Sequence, residues 1–257
     1  MQQSGLALVV SGAIAGELVA IDNYCEMVPL IGDVDLKLRT LEQARTEAMH
    51  VTLLTDLYRS LGAAGAASAP DPRWKRLRRD FSAAVERADL AACSIVQDLM
   101  LATMGVVLFR ALARNAEAAP VAERILHDGL AHLDEGIARI RALLRRDPKR
   151  VHSSLVWANR RVMPGLVGMV SAGSQALCAD PASHDDEAAG SARAAAELEG
   201  LRADALDAYR DTLDRAGFDD PSTLPLIASI AGDETRPRVD RRLRIDAVPA
   251  RLGATTS

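Results

Sequence analysis

The chain has 257 residues and a formal net charge of −4, with 26% charged and only 3% aromatic residues. That length fits one large or two small domains, and the mild acidity gives no electrostatic footprint for nucleic acid. Ala, Leu, Glu and Arg dominate the sequence, which favours helices and argues against a β-rich fold.

The elements are read in chain order. A first helix is expected over about Gly5–Met27, stopped by Pro29 and Gly32. Its apolar stretch Leu6–Ala15 is too short to span a membrane, and Glu17 interrupts the run beyond it. A second helix runs over about Asp33–Leu61, ended by Gly62 and the small-residue linker Ala63–Pro72. A third, long helix is expected over about Trp74–Asn115, with a break near its start. A fourth begins near Ala119, with Pro120 in its first turn, and ends near Arg146. A fifth covers about Lys149–Leu177, and Pro164 should kink or split it. A polar linker, Cys178–Ser191, leads to a sixth helix over about Ala192–Ala216, followed by a short one at Pro221–Ile230. Residues 1–232 are expected to form one domain, and 233–257 a charged, disordered tail. The long third and fourth helices, joined by a short link, should pack as antiparallel neighbours. The three cysteines, Cys25, Cys93 and Cys178, have no metal-binding spacing and read as reduced thiols of a cytoplasmic protein.

Three positions carry chemistry. Glu17 shares a helix face with Val10, Ala13, Ile14, Ala20, Ile21 and Tyr24. A carboxylate in that stripe is buried and needs a cation, a hydrogen-bonding group or a metal. Glu47 and His50 form an E-x-x-H pair, which places both side chains on one helical face. Leu54, Leu57 and Leu61 continue that face, so it turns inward. This is the spacing found in the cores of di-metal carboxylate bundles. His132 stands among Ile125, Gly129, Gly136 and Ile140, with Asp128 one turn before it. A lone histidine there is either a core residue or a ligand. His127 is expected off the core face.

The segments AGELVAIDNY, EAMHVTLLTDLYRSLG, CSIVQDLML, ILHDGLAHLDEG, ANRRVMPGLVGMV and ALDAYRDTLDRAGFDD occur in this order over residues 10–232. Together they resemble the cyanobacterial aldehyde-deformylating oxygenases. The resemblance implies an all-α, ferritin-like antiparallel four-helix bundle with additional helices. It also implies a di-iron centre, a hydrophobic channel and an external reductant. Glu17, Glu47, His50 and His132 match four of the family's metal ligands. The remaining two glutamates fall at Ala102 and Gly129, which offer no side-chain donor. Asp98, one turn before Ala102, and Asp128, one turn before His132, are the carboxylates placed to substitute for them.

This pattern supports two functions of different class. One is an oxygenase-like biosynthetic enzyme with a remodelled non-haem iron site. It would hold one iron or manganese ion and act on a small apolar substrate other than a simple long-chain aldehyde. The other is a metal-free bundle, either a pseudoenzyme, a hydrophobic-ligand binder or a metal-independent catalyst. Iron storage is disfavoured, since nothing in the sequence points to a closed shell of subunits.

Overall fold

The computed structural model describes residues 5–63, 72–178 and 187–218, and the side chains of 171–199 are not described. Every regular element among the described residues is helical. The order is α1 (Gly5–Met27), a short 3-10 turn (Val28–Leu30), α2 (Val34–Ser60), α3 (Pro72–Glu86) and α4 (Leu90–Ser94). A π-helical segment (Ile95–Leu101) leads into α5 (Ala102–Leu112). Then come α6 (Ala119–Arg146), α7 (Pro148–Arg161), α8 (Met163–Cys178) and α9 (Glu187–Ala216).

Helix starts follow the capping chemistry of aspartate. Asp33 accepts from the Leu36 amide at 2.8 Å, Asp89 from Ala92 at 3.1 Å and Asp147 from Arg150 at 3.0 Å. The expected third helix is four segments, α3, α4, the π segment and α5. It breaks at residues 87–89, where Ala88 adopts φ 50°, and it winds as a π-helix from Ile95. The expected fifth helix is split at Val162, just before Pro164. The sixth begins earlier than expected, at Glu187. The segments expected as a short helix at 221–230 and as a tail at 233–257 lie outside the described residues.

Helices α1, α2, α6 and the α4–π–α5 run form the bundle, and α8 and α9 pack on its α1 and α5 side. Gly5–Leu30 and Leu90–Leu112 are long and apolar enough to cross a membrane by length and composition, but 61% and 78% of their most apolar windows are buried inside the bundle. The larger core centres on Tyr24, Phe81, Leu99, Leu133 and Tyr209, and a second on Val10, Leu54, Phe109 and Ile125.

Between Thr40 and His50 the seam of α2 with α6 is polar. Arg139 donates to Thr40 at 3.1 Å and to Gln43 at 3.4 Å, and Gln43 donates to Glu135 at 3.1 Å. His132 meets Glu47 at 3.0 Å, and His50 meets Asp128 at 3.2 Å. Each step of three or four residues forward on α2 is matched by a similar step backward on α6, which is antiparallel register.

Arg139 also donates to Asp98 of the π segment at 2.8 Å, and both side chains are almost fully buried. Gly136 permits this approach. A Cβ there would lie 2.5 Å from the Asp98 Cβ and 2.7 Å from its carbonyl oxygen.

Gly136→Ala should therefore destabilise the fold by about 1–3 kcal/mol through overpacking, although alanine is the better helix former. Arg139→Met should cost about 3–5 kcal/mol, because Asp98 would be left buried without its partner. Urea denaturation of the two variants checks both values, and an unchanged midpoint for either would contradict the packing described.

Candidate metal centre

Glu17 comes from α1, Glu47 and His50 from α2 and His132 from α6, so three helices converge on one point. Glu17, Glu47 and His50 are all buried. One donor atom from each lies within 4.8 Å of the others, which is the geometry of a possible metal site. This is the one such group among the described residues. Glu47 is central. Its Oε2 lies 2.8 Å from His50 Nδ1 and its Oε1 lies 3.0 Å from His132 Nδ1. Glu17 Oε1 stands 3.9 Å from His50 Nδ1. The two imidazole rings are 6.5 Å apart between centroids and tilted by 37°.

Electrostatics divides the two carboxylates. Burial, reinforced by the nearby Glu47 charge, pushes the Glu17 carboxyl up to about 8. Burial works the same way on Glu47, but hydrogen bonds to His132 and His50 outweigh it and hold that carboxyl below its ordinary value. Burial alone would lower His50, yet its contacts with Glu17 and Glu47 raise it to about 10. Without a metal, the stable arrangement is thus a protonated Glu17, an ionised Glu47 and an imidazolium at His50. His50 then donates through Nδ1 to Glu47 and through Nε2 to Asp128. The Nδ1 proton of His50 occupies the direction that a metal ion would take.

The donor set suits one ion. Two carboxylates and one imidazole are a ligand combination for a non-haem Fe(II) or Mn(II) ion with open positions. Asp128 on the far nitrogen of His50 is the partner that fixes a ligating imidazole. A second ion would have fewer donors. It would have His132 and a share of Glu47, with Ala102 and Gly129 on the facing wall.

Of the two carboxylates expected to repair that half, Asp98 is turned to Arg139, and burial, opposed by that guanidinium, raises its carboxyl. The segment between Asp98 and Ala102 winds as a π-helix. Asp128 joins the network through His50 and also lies 3.8 Å from Arg124. His127 is exposed, as expected.

Sequence reasoning missed Arg139 and Gln97, and placed Tyr24 only as an apolar neighbour of Glu17. Arg139 lies two turns beyond His132 on the same apolar face, which was the available signal. Gln97 accepts from Asn23 at 2.8 Å and borders the site with Tyr24. The Tyr24 hydroxyl is pushed well above its ordinary value by burial, then by the Asp98 and Glu47 charges.

A cavity of about 530 Å³ opens from the donors. Its polar groups gather at the Glu17–Glu47–His50–His132 end. From there it runs between α1 and α5 past Gly12, Gly105 and Leu108, and toward α8 at Met169 and Val170. Trp74 closes the wall beside Glu17. Its ring edge lies 3.2 Å from where a Cβ on Gly16 would be, so Gly16 gives the indole its seat.

Comparison with known proteins agrees with this architecture. A solved structure described as protein 19 with aldehyde deformylating oxidase activity, from Synechococcus, superposes with a TM-score of 0.68. It is 18% identical and the match covers 88% of this chain and 95% of that one, so it shows a shared fold. No curated protein matches the chain. The sequence profile of the long-chain fatty aldehyde decarbonylases matches residues 7–224. The chain therefore belongs to the long-chain fatty aldehyde decarbonylase family.

Proposed function

We propose that this protein is a metal-dependent, oxygenase-like enzyme that acts on an apolar-chain substrate at a centre made by Glu17, Glu47 and His50. The observation that carries this reading is the convergence of those three buried donors at the head of an otherwise apolar cavity. Membership of the aldehyde decarbonylase family supports an aldehyde or a related compound as substrate. When bound, an iron or manganese ion would supply activation of dioxygen, with electrons from an external reductant.

The protein's own part begins with orientation. The apolar walls take the substrate chain, and the polar groups at one end oblige its head to face the donors. Burial of the centre excludes bulk water and strengthens each interaction within it. His132, hydrogen-bonded to Glu47, fixes that carboxylate from the side opposite His50. Asp128 holds the His50 ring through its far nitrogen. Glu17, protonated without metal, releases its proton to become a ligand and so couples metal binding to pH.

Reconstitution of the purified chain with Fe(II) or Mn(II) should give bound metal that survives desalting. Glu47→Gln and His50→Ala should each weaken it by about 10–100-fold or more, read by metal analysis. Wild-type protein that retains no ion would refute the metal-dependent reading and leave the metal-free binder in its place.

The pH dependence has a definite sign. Glu17 and His50 bind protons more tightly in the fold than in the unfolded chain. Metal-free stability should therefore fall as pH rises, from 4.5 to about 8 for Glu17 and from 6.5 to about 10 for His50. Metal affinity should rise over the same interval, as both protons cease to compete. Urea midpoints and metal titrations at pH 6 and pH 9 check the two opposite trends, and Glu17→Gln should remove the lower-pH part of the stability loss.

A further inference from the structure

We infer that the outer face of α2 is the seam of a homodimer, in which α2 packs in parallel against α2 of a second copy of this chain. The inner face of the same helix serves the metal centre, so the dimer and the metal-dependent reading stand or fall separately.

The inner face of α2, with Glu47, His50 and Leu54, is buried against the bundle. On the opposite side Val34, Leu38 and Leu41 are 68%, 60% and 44% exposed. Of the seven large apolar side chains exposed among the described residues, these and Met49 put four on this one helix, and Leu18 of the adjacent α1 is a fifth. A single exposed leucine is ordinary, but a row of them marks an interaction surface. The row also has the spacing of a coiled-coil seam. Val34, Leu38, Leu41, Arg45 and Ala48 follow at intervals of four, three, four and three residues, and all five are exposed.

The flanking charges select the occupant and its direction. Lys37 borders the row just before Leu38, and Glu42 borders the other side just after Leu41. In a parallel pair of such helices these two flanks face each other at an offset of five residues. Lys37 of each copy then meets Glu42 of the other, so the chain is complementary to itself. In an antiparallel pair centred on Leu38 and Leu41, like flanks meet, and Asp35 would oppose Glu42, acid against acid. Arg45, the fourth member of the row, is already held by Glu42 through its Nε at 2.9 Å, so no unpaired charge stands at that end of the apolar seam. The apolar part covers about 17 Å of helix. An interface that short, widened by Leu18 and Met49, belongs to the small, reversible class.

Sedimentation equilibrium of the full chain tests this. It should show monomer and dimer in exchange, with a Kd of about 1–100 μM. Leu38→Glu, at an exposed position, should keep the helical circular dichroism and weaken the dimer about tenfold or more. Leu41→Gln gives the same test should the first variant lose helicity. Lys37→Glu and Glu42→Lys should each weaken the dimer about threefold or more, and the two together should restore it, because the exchanged charges again face each other. A chain that stays monomeric up to about 300 μM would overturn the inference and leave the row to other residues of this chain or to a different partner. A dimer indifferent to both leucine substitutions would place the interface elsewhere and overturn it equally. Strengthening by Glu42→Lys alone would show the antiparallel pair and refute the parallel seam.

Discussion

The hydrogen-bonded seam between α2 and α6 is the constraint on which the rest depends. Thr40, Gln43, Glu47 and His50 face Arg139, Glu135, His132 and Asp128 in successive rungs. Polar groups of this kind inside a bundle are costly unless every rung is satisfied. Satisfied, they fix the rotation and the axial position of both helices. The two halves of the seam do different work. The half around Arg139 is a buried ion-pair network that reaches across to Asp98 and ties in the π segment, with Asp98 Oδ1 and Arg139 Nε left without a hydrogen-bond partner. The half around Glu47 opens onto the cavity and holds two histidines against one carboxylate. The first supplies rigidity, and the second uses it.

Much of the site was legible because a buried charge is expensive. Glu17 in an apolar stripe and the inward-facing Glu47/His50 pair were identifiable from periodicity alone, since carboxylates at such positions demand partners. His132 and Asp128 were legible as neighbours on one helix, although which of them met which group of α2 was not. That choice depends on the axial offset between two helices, and local sequence says little about it. Asp98 shows where the reading stopped. Its partner, Arg139, lies 41 residues away on α6, and local periodicity carries no information on that pairing. A break near the start of the third helix was expected, but its position at residues 87–89 was not marked in the sequence. Ala88 carries the positive φ there, and neither glycine nor proline marks the turn. Helices α1, α2 and α6, by contrast, were legible to within a few residues, because Pro29, Gly32, Gly62 and Pro120 mark their ends and apolar stripes mark what they bury.

The centre also illustrates how a metal site differs from a polar core built of the same residues. Without an ion, three buried groups share protons so that only Glu47 and His50 carry charge. An ion would displace those protons and turn the same side chains into donors, with Asp128 on the far nitrogen of His50.

The register of the α2–α6 seam makes the centre sensitive to reading frame in a mechanical sense. One residue added to α2 between Gln43 and Glu47 would rotate everything beyond it by about 100° and advance it by about 1.5 Å. The Arg139 rungs would keep their partners, while Glu47 and His50 would swing off the axis that Glu17 and His132 share. A lengthening of about one heptad, which nearly restores the rotation, would displace them by about 10 Å along α6 instead. Substitutions can therefore remodel this centre one ligand at a time, as Ala102 and Gly129 illustrate. Changes in helix length between the rungs cannot, and the loops outside the seam are where the chain has freedom to grow.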